Sequence, residues 1–201
     1  MVGGLLMTHG DDAGIRLPPN MAPVQVVVCA TRSAPRACGA RLDDDPDRTP
    51  GWKFNHWEMK GVPLRIEIGA RDLESASCVL ARRDRPGKQG KERGVALAPE
   101  SLVPHVQTQL EEIQAALLED ATRFRDGNIV DVSSYAELRA AVDQGKWARG
   151  FWAGSDEEEV RVKEETGATL RCFPLDREQD RGVCFLTGQP QGQIALFAKA
   201  Y

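Results

Sequence analysis

The stretch VQVVVC (24–29) constrains the fold of this chain more than any other. Adjacent β-branched residues with no polar face make a strand buried on both sides, which belongs inside an α/β sheet with helices above and below. A parallel neighbour then needs a crossover of about a dozen residues or more, usually helical. The next strand-like piece, around 40–42, comes after TRSAPRACG (31–39), which holds a proline and has too few residues for that helix. The sequence thus predicts a β-α-β step shortened at 31–39, with one face of the 24–29 strand left open. At about 25 cal/mol per Å² over a few hundred Å², the lost burial would rival the stability of a whole domain.

Two further strands are predicted at 64–68 (LRIEI, alternating) and 76–81 (ASCVLA), followed by a basic, Gly-rich exposed loop at 82–94. A long helix follows over 99–126. Leu102, Val106, Leu110, Ile113, Leu117 and Phe124 fall at the three- and four-residue spacing of one apolar face, with Pro99 at its start and Gly127-Asn128 as its stop. The remainder reads as a second unit. Ser133-Ser134-Tyr135 leads into AELRAAVDQG, then come strand WARGFWA, a helix capped by Ser155 with early carboxylates, and strands ATLRCFPL and QIALFAKAY around a Gly-rich turn. Cys172 is expected to pack as a core thiol. Residues 3–20 hold an apolar run, a Gly/Asp turn cluster and a Pro-Pro break, read as a strand and connector without their sheet.

With 201 residues, 41% of them hydrophobic, the chain has apolar surface for one core or two small ones. A net charge of −4 gives no global positive field, so DNA is not an expected partner and RNA binding must come from a local patch. The five cysteines are odd in number, scattered and without a C-x-x-C pair, which argues for reduced thiols rather than disulfides or a four-thiolate zinc site. No run approaches the roughly 18 apolar residues of a membrane span, and the start lacks the basic flank of a secretory signal. The expected location is cytoplasmic, with no membrane partner.

In a chain with only 6% aromatic residues, TPGWKFNHWEMKGVPLRIEIGARD (49–72) crowds two Trp, a Phe and a His among charges directly ahead of a strand. Taken with GGLLMTHGDD, GIRLPPNMAPVQVVV, KEETGATLRCFPLD and the ending ALFAKAY, this stretch resembles prolyl-tRNA synthetase of the archaeal and eukaryotic-like type. The resemblance runs from about residue 3 to residue 201. It implies an α/β fold: a mixed sheet with helices of the class II anticodon-binding domain, followed by a small α+β C-terminal domain. The implied domains are 1–20, the tail of a class II catalytic domain; 21–128, the anticodon-binding domain; and 129–201, the C-terminal domain without zinc.

The resemblance also implies roles. Single-stranded RNA is read by stacking splayed bases on rings and hydrogen-bonding their edges. Phe54 would stack on a base of the proline tRNA anticodon, Glu58 and Asp72 would accept from guanine N1 and N2, and Arg71 would donate to the O6 and N7 face. Lys53, Lys60 and Arg65 are weaker assignments, as phosphate contacts. Trp52 and Trp57 are expected to pack, and an Arg65–Glu67 pair to be a surface feature of little worth.

His9 and the final Tyr201 would lie near the family's active site, yet the motifs that bind ATP and magnesium for the complete enzyme are not expected in this chain, and neither is catalysis by it alone. Where some members hold zinc with four cysteines, this sequence has Ala153, Glu158, Cys184 and Thr187, so no metal is expected. The resulting expectation is a portion of a proline–tRNA ligase that binds proline tRNA, as a homodimer or with a separate catalytic subunit. The alternative is a non-catalytic remnant or split-enzyme subunit serving as an interaction module. A Rossmann-type enzyme is disfavoured because no Gly-rich phosphate loop follows the 24–29 strand.

Overall fold

The computed structural model describes residues 2–30, 40–85 and 87–200. The chain divides into two compact units, Met1–Ala121 and Thr122–Tyr201, the division falling inside a long helix.

The first unit contains α1 (Val2–His9), a two-strand hairpin of β1 (Gly10–Asp11) and β2 (Gly14–Ile15), then β3 (Val26–Ala30), β4 (Ala40–Asp43), α2 (Pro50–Met59), β5 (Leu64–Ile68), α3 (Ala70–Glu74), β6 (Ser77–Arg82), β7 (Lys91–Ala96) and α4 (Pro99–Gly127). Its five-stranded sheet has the order β4-β3-β5-β6-β7. The two pairings of β3 are parallel, whereas β6 runs antiparallel to both β5 and β7. Every residue of β3 is buried, as its composition predicts. Val26, Val28 and Ala30 join the α4-side core with Leu64, Ile66, Ile113 and Leu117, while Val27 and Cys29 pack with Trp57 and Val62 on the α2 side.

Several expectations need correction. No face of β3 lies open: α2 is the crossover between parallel strands β4 and β5, and its Trp57 closes over Val27 and Cys29. The short 31–39 connection itself lies outside the described residues. The apolar run after Met1 is the helix α1 rather than a strand, and none of its residues is buried. The predicted 82–94 loop contains most of β7, and Arg83 within it is 5% exposed. Phe124 does not follow the buried stripe of α4 and is 77% exposed.

The hairpin is welded to the end of α2. Gly61 ends that helix at φ +73°, and a Cβ there would come within 2.6 Å of Ile15 Cγ2. The Leu17 amide donates to the Gly61 carbonyl (3.2 Å). Arg83, fully buried, forks onto both Asp11 oxygens (2.6 and 2.7 Å) and donates from Nε to the Glu58 carbonyl (3.0 Å). The Arg83 hydrogen bond holds the Asp11 carboxyl below the usual range.

The second unit has β8 (Ile129–Asp131), α5 (Tyr135–Asp143), β9 (Trp147–Trp152), α6 (Asp156–Thr166), β10 (Ala168–Cys172), β11 (Arg181–Gly182) and β12 (Gly192–Lys199). Its sheet has the order β10-β12-β9-β8, with β11 also on β12. The core is built on Leu138, Val142, Val162 and Phe197, and Trp152, Phe185 and Phe197 pack ring to ring at 5.1–5.5 Å. Ser155 and Glu158 form a capping box on α6, which Gly167 ends at φ +73°. Cys172 is exposed near the end of an edge strand, not packed in the core. Cys184 is buried; burial pushes its thiol up, but hydrogen bonds from the Thr187 hydroxyl and from the amides of Thr187, Ala153 and Leu186 outweigh that and leave it below its ordinary value. Among the described residues no group of three or more His, Cys, Asp or Glu could hold a metal, and no helix is long and apolar enough to cross a membrane.

Candidate nucleic-acid interface

The ring-rich stretch is helical because its punctuation is helical. Thr49 Oγ1 accepts from the Trp52 amide (3.3 Å) and Pro50 stands at the first helical position, where its missing N–H costs nothing. The four-residue spacing then sorts the side chains. Lys53 and Trp57 are buried against the sheet, while Phe54 and Glu58 share the next stripe, half-buried at its margin.

Asp43 at the end of β4 anchors the buried pair. Its Oδ2 accepts from Trp57 Nε1 (2.6 Å), and Lys53 Nζ lies 3.4 Å from Oδ1 and donates to the Asp43 carbonyl (3.0 Å). Burial pushes the Asp43 carboxyl up, but the indole and the ammonium outweigh it and hold it below its ordinary value. Lys53 is therefore corrected from a phosphate contact to a structural cation: it is 5% exposed and committed to Asp43. The two tryptophans divide, Trp57 packing as expected and Trp52 remaining 43% exposed, stacked at 4.7 Å on His56.

Arg65 and Glu67 alternate out of the apolar face of β5 and point under α2. Their side chains are 13% and 14% exposed, so the pair is not the surface feature the sequence suggested. Arg65 lies 4.6 Å above the Phe54 ring, donates to the Phe54 carbonyl (3.3 Å) and approaches Glu58 at 4.0 Å. Lys91, from β7, donates to both Glu67 oxygens (2.8 Å each) and stands 5.3 Å from the same ring.

Two hollows flank this array. Phe54 and Asp72 line one of about 380 Å³, with Arg48, Lys53, Glu67 and Arg93. Glu58 and Arg65 line the other, about 240 Å³, with Arg82, Arg83, Arg85 and Lys91. Asp72 is the third residue of α3, and its Oδ2 accepts from the Gly69 amide at the helix start (2.8 Å). Arg71, beside it in sequence, is exposed and lines neither hollow. Lys60 is exposed as well, its ammonium 4.9 Å from the Trp57 ring. His9 ends α1, and its carbonyl accepts from the Arg16 amide (3.0 Å) and Nε (3.1 Å); partial burial and then the Arg16 charge lower its pKa. Tyr201 lies outside the described residues.

The structure therefore groups Phe54 with Asp72 and, one helical turn away, Glu58 with Arg65. Glu67 and Lys91 were missed as members of the array. The 65/67 alternation puts Arg65 and Glu67 on one strand face, a signal the sequence does carry; the partnership with Lys91 spans 24 residues and leaves no local trace.

Comparison with known proteins concerns the domains rather than these side chains. The family model described as "Anticodon binding domain" matches residues 31–109, and the one described as "Prolyl-tRNA synthetase, C-terminal" matches 135–201. The chain is 53% identical to the chloroplastic/mitochondrial proline–tRNA ligase of Arabidopsis thaliana and 44% identical to the proline–tRNA ligase of Roseiflexus castenholzii, over 100% of its own length and 40% and 45% of theirs. Among solved structures it resembles the prolyl-tRNA synthetase of Cryptosporidium parvum complexed with L-proline and AMP, with a TM-score of 0.81 and 30% identity over 100% of this chain and 46% of that one. It thus spans less than half the length of these relatives. The chain belongs to the prolyl-tRNA synthetase family and carries that family's anticodon-binding and C-terminal domains.

Proposed function

We propose that the chain binds proline tRNA by reading its anticodon guanines at the margin of α2. The observation that carries this reading is the shared hollow of Phe54 and Asp72, with Glu58 and Arg65 one helical turn along. A volume of about 380 Å³ falls in the range of small-ligand sites. Phe54 supplies the stacking face, Glu58 and Asp72 accept from guanine N1 and N2, and Arg71, exposed beside Asp72 in sequence, donates to the O6 and N7 edge. Lys60 contacts the phosphate backbone. Arg65, held over the Phe54 ring, acts on the base side rather than on phosphate.

Ligation of proline to tRNA, with ATP and magnesium, is proposed for the assembly that joins these domains to a class II catalytic body, whether in one polypeptide, in a homodimer or through a separate catalytic subunit. The compartment is one of protein synthesis: cytoplasm by composition, while the Arabidopsis relative's name points to chloroplast and mitochondrion. The test is binding of proline tRNA against other tRNAs. Glu58→Ala and Asp72→Asn are expected each to reduce the preference roughly tenfold or more, from about 1–3 kcal/mol per lost base contact. Unchanged selectivity in both variants refutes the assignment.

A further inference from the structure

Arg65 and Glu67 occupy sheet positions whose neighbours in register are apolar and buried: Val27 and Ala81 beside Arg65, Cys29 and Val79 beside Glu67. A well-packed apolar pair in such a place is often as stable as, or more stable than, an ion pair. Stability alone therefore gives no reason for charge here.

The geometry of the carboxylate suggests what it does. Glu67 Oε1 accepts from Arg65 Nε (3.0 Å) and from Lys91 Nζ (2.8 Å), while Arg65 Nη2 also lies 3.0 Å from it. Two cations touching one oxygen are closer to each other than they would be across the ring, so both lie to the same side of Phe54. Arg65 is fixed there further by the Phe54 carbonyl, which accepts from Nη1 (3.3 Å), and by Glu58 at 4.0 Å.

We propose that Glu67 is a positioning residue for anticodon recognition, on the reading given under Proposed function. Although it lines the Phe54 hollow, it acts through the two cations it holds. It holds Arg65 and Lys91 together on one side of Phe54, keeping the opposite face for a base, and it withholds both cations from phosphate. Specificity is thereby gained at the expense of sequence-independent attraction.

That trade gives a signature that a merely structural residue would not produce. Removing the Glu67 charge frees cations for the backbone, so binding to non-cognate RNA strengthens and its salt dependence steepens, by about 0.7 in the log–log slope per phosphate gained. Discrimination for guanine falls at the same time.

The experiment measures fluorescence anisotropy of the full chain with a labelled proline-tRNA anticodon stem-loop and with the same loop carrying adenine at both guanines, across a salt series. Glu67→Gln is expected to lower the guanine-to-adenine preference about tenfold and to steepen the slope on the adenine loop; Phe54→Ala is expected to lose preference without a steeper slope. Wild-type preference and slope in Glu67→Gln, alongside lost preference in Phe54→Ala, overturn the role of Glu67 alone. Absence of preference in the wild type overturns the anticodon reading and this inference together. If Glu67→Gln melts out, Lys91→Met removes the more exposed partner; it is expected to reduce preference, and wild-type preference in it overturns the proposal.

Discussion

Replacing Arg83 by Met tests whether the hairpin is welded to α2. The guanidinium is 3% exposed and joins three segments: β1 through Asp11, the last turn of α2 through the Glu58 carbonyl, and its own position just after β6. Met matches its bulk but leaves Asp11 without its fork. Breaking a fully buried pair costs about 3–5 kcal/mol. Asp11 is 32% exposed, and the Glu58 carbonyl keeps the Gly61 amide as a donor (3.0 Å), so solvent and backbone recover part of the loss. The expected destabilisation is about 2–3 kcal/mol. Urea unfolding should show it, and hydrogen exchange should place it in peptides covering 10–17 and 56–62.

The pH dependence carries the sign. Because the folded-state pKa of Asp11 is lowered, its contribution is full above the unfolded value near 3.9 and is lost as pH falls through the depressed folded value. The gap between wild type and Arg83→Met should be constant from pH 6 to 8 and shrink in acid below about pH 4. A variant within about 0.5 kcal/mol of wild type, with exchange unchanged in both peptides, refutes the weld.

Two further outcomes follow from capping and burial. Thr49→Ala removes the side-chain cap of α2 and should cost about 1 kcal/mol, read by urea unfolding and restored by Thr49→Ser. Alkylation with iodoacetamide followed by peptide mapping should label exposed Cys172 quickly and leave Cys29 and Cys78 protected, since burial pushes both of those thiols up to about 11; rapid labelling of Cys29 would contradict the packing of α2 over β3.

The elements that were legible in the sequence are those whose burial writes a period into the chain. β3 showed as an unbroken β-branched run, β5 as an alternation, α4 as a stripe from Leu102 to Leu117, and α6 as a serine followed by acids. α2 hid because its buried face is one Trp and one Lys, so no apolar stripe exists to be found; the Thr-Pro start was its only local sign. β7 hid for a related reason, being charged and mostly exposed along its length. Phe54, Glu58 and Asp72 were expected from the resemblance alone; Phe54 and Asp72 line one hollow and Glu58 lines the other. Lys53 is instructive: a lysine at helical spacing from Trp57 faces the sheet, and there its ammonium meets Asp43 at the end of β4.

Asp72 has a consequence for how affinity is distributed. Its side chain is already tethered by the Gly69 amide, so, if Asp72 reads RNA as proposed, its rotamer is chosen when the protein folds rather than on binding. Little side-chain entropy is left to surrender on capture, which favours fast and repeated sampling of tRNA. The same tether makes alanine a misleading probe at this position, because it unties the start of α3 together with the reader; asparagine, which keeps an oxygen for Gly69, separates the two effects.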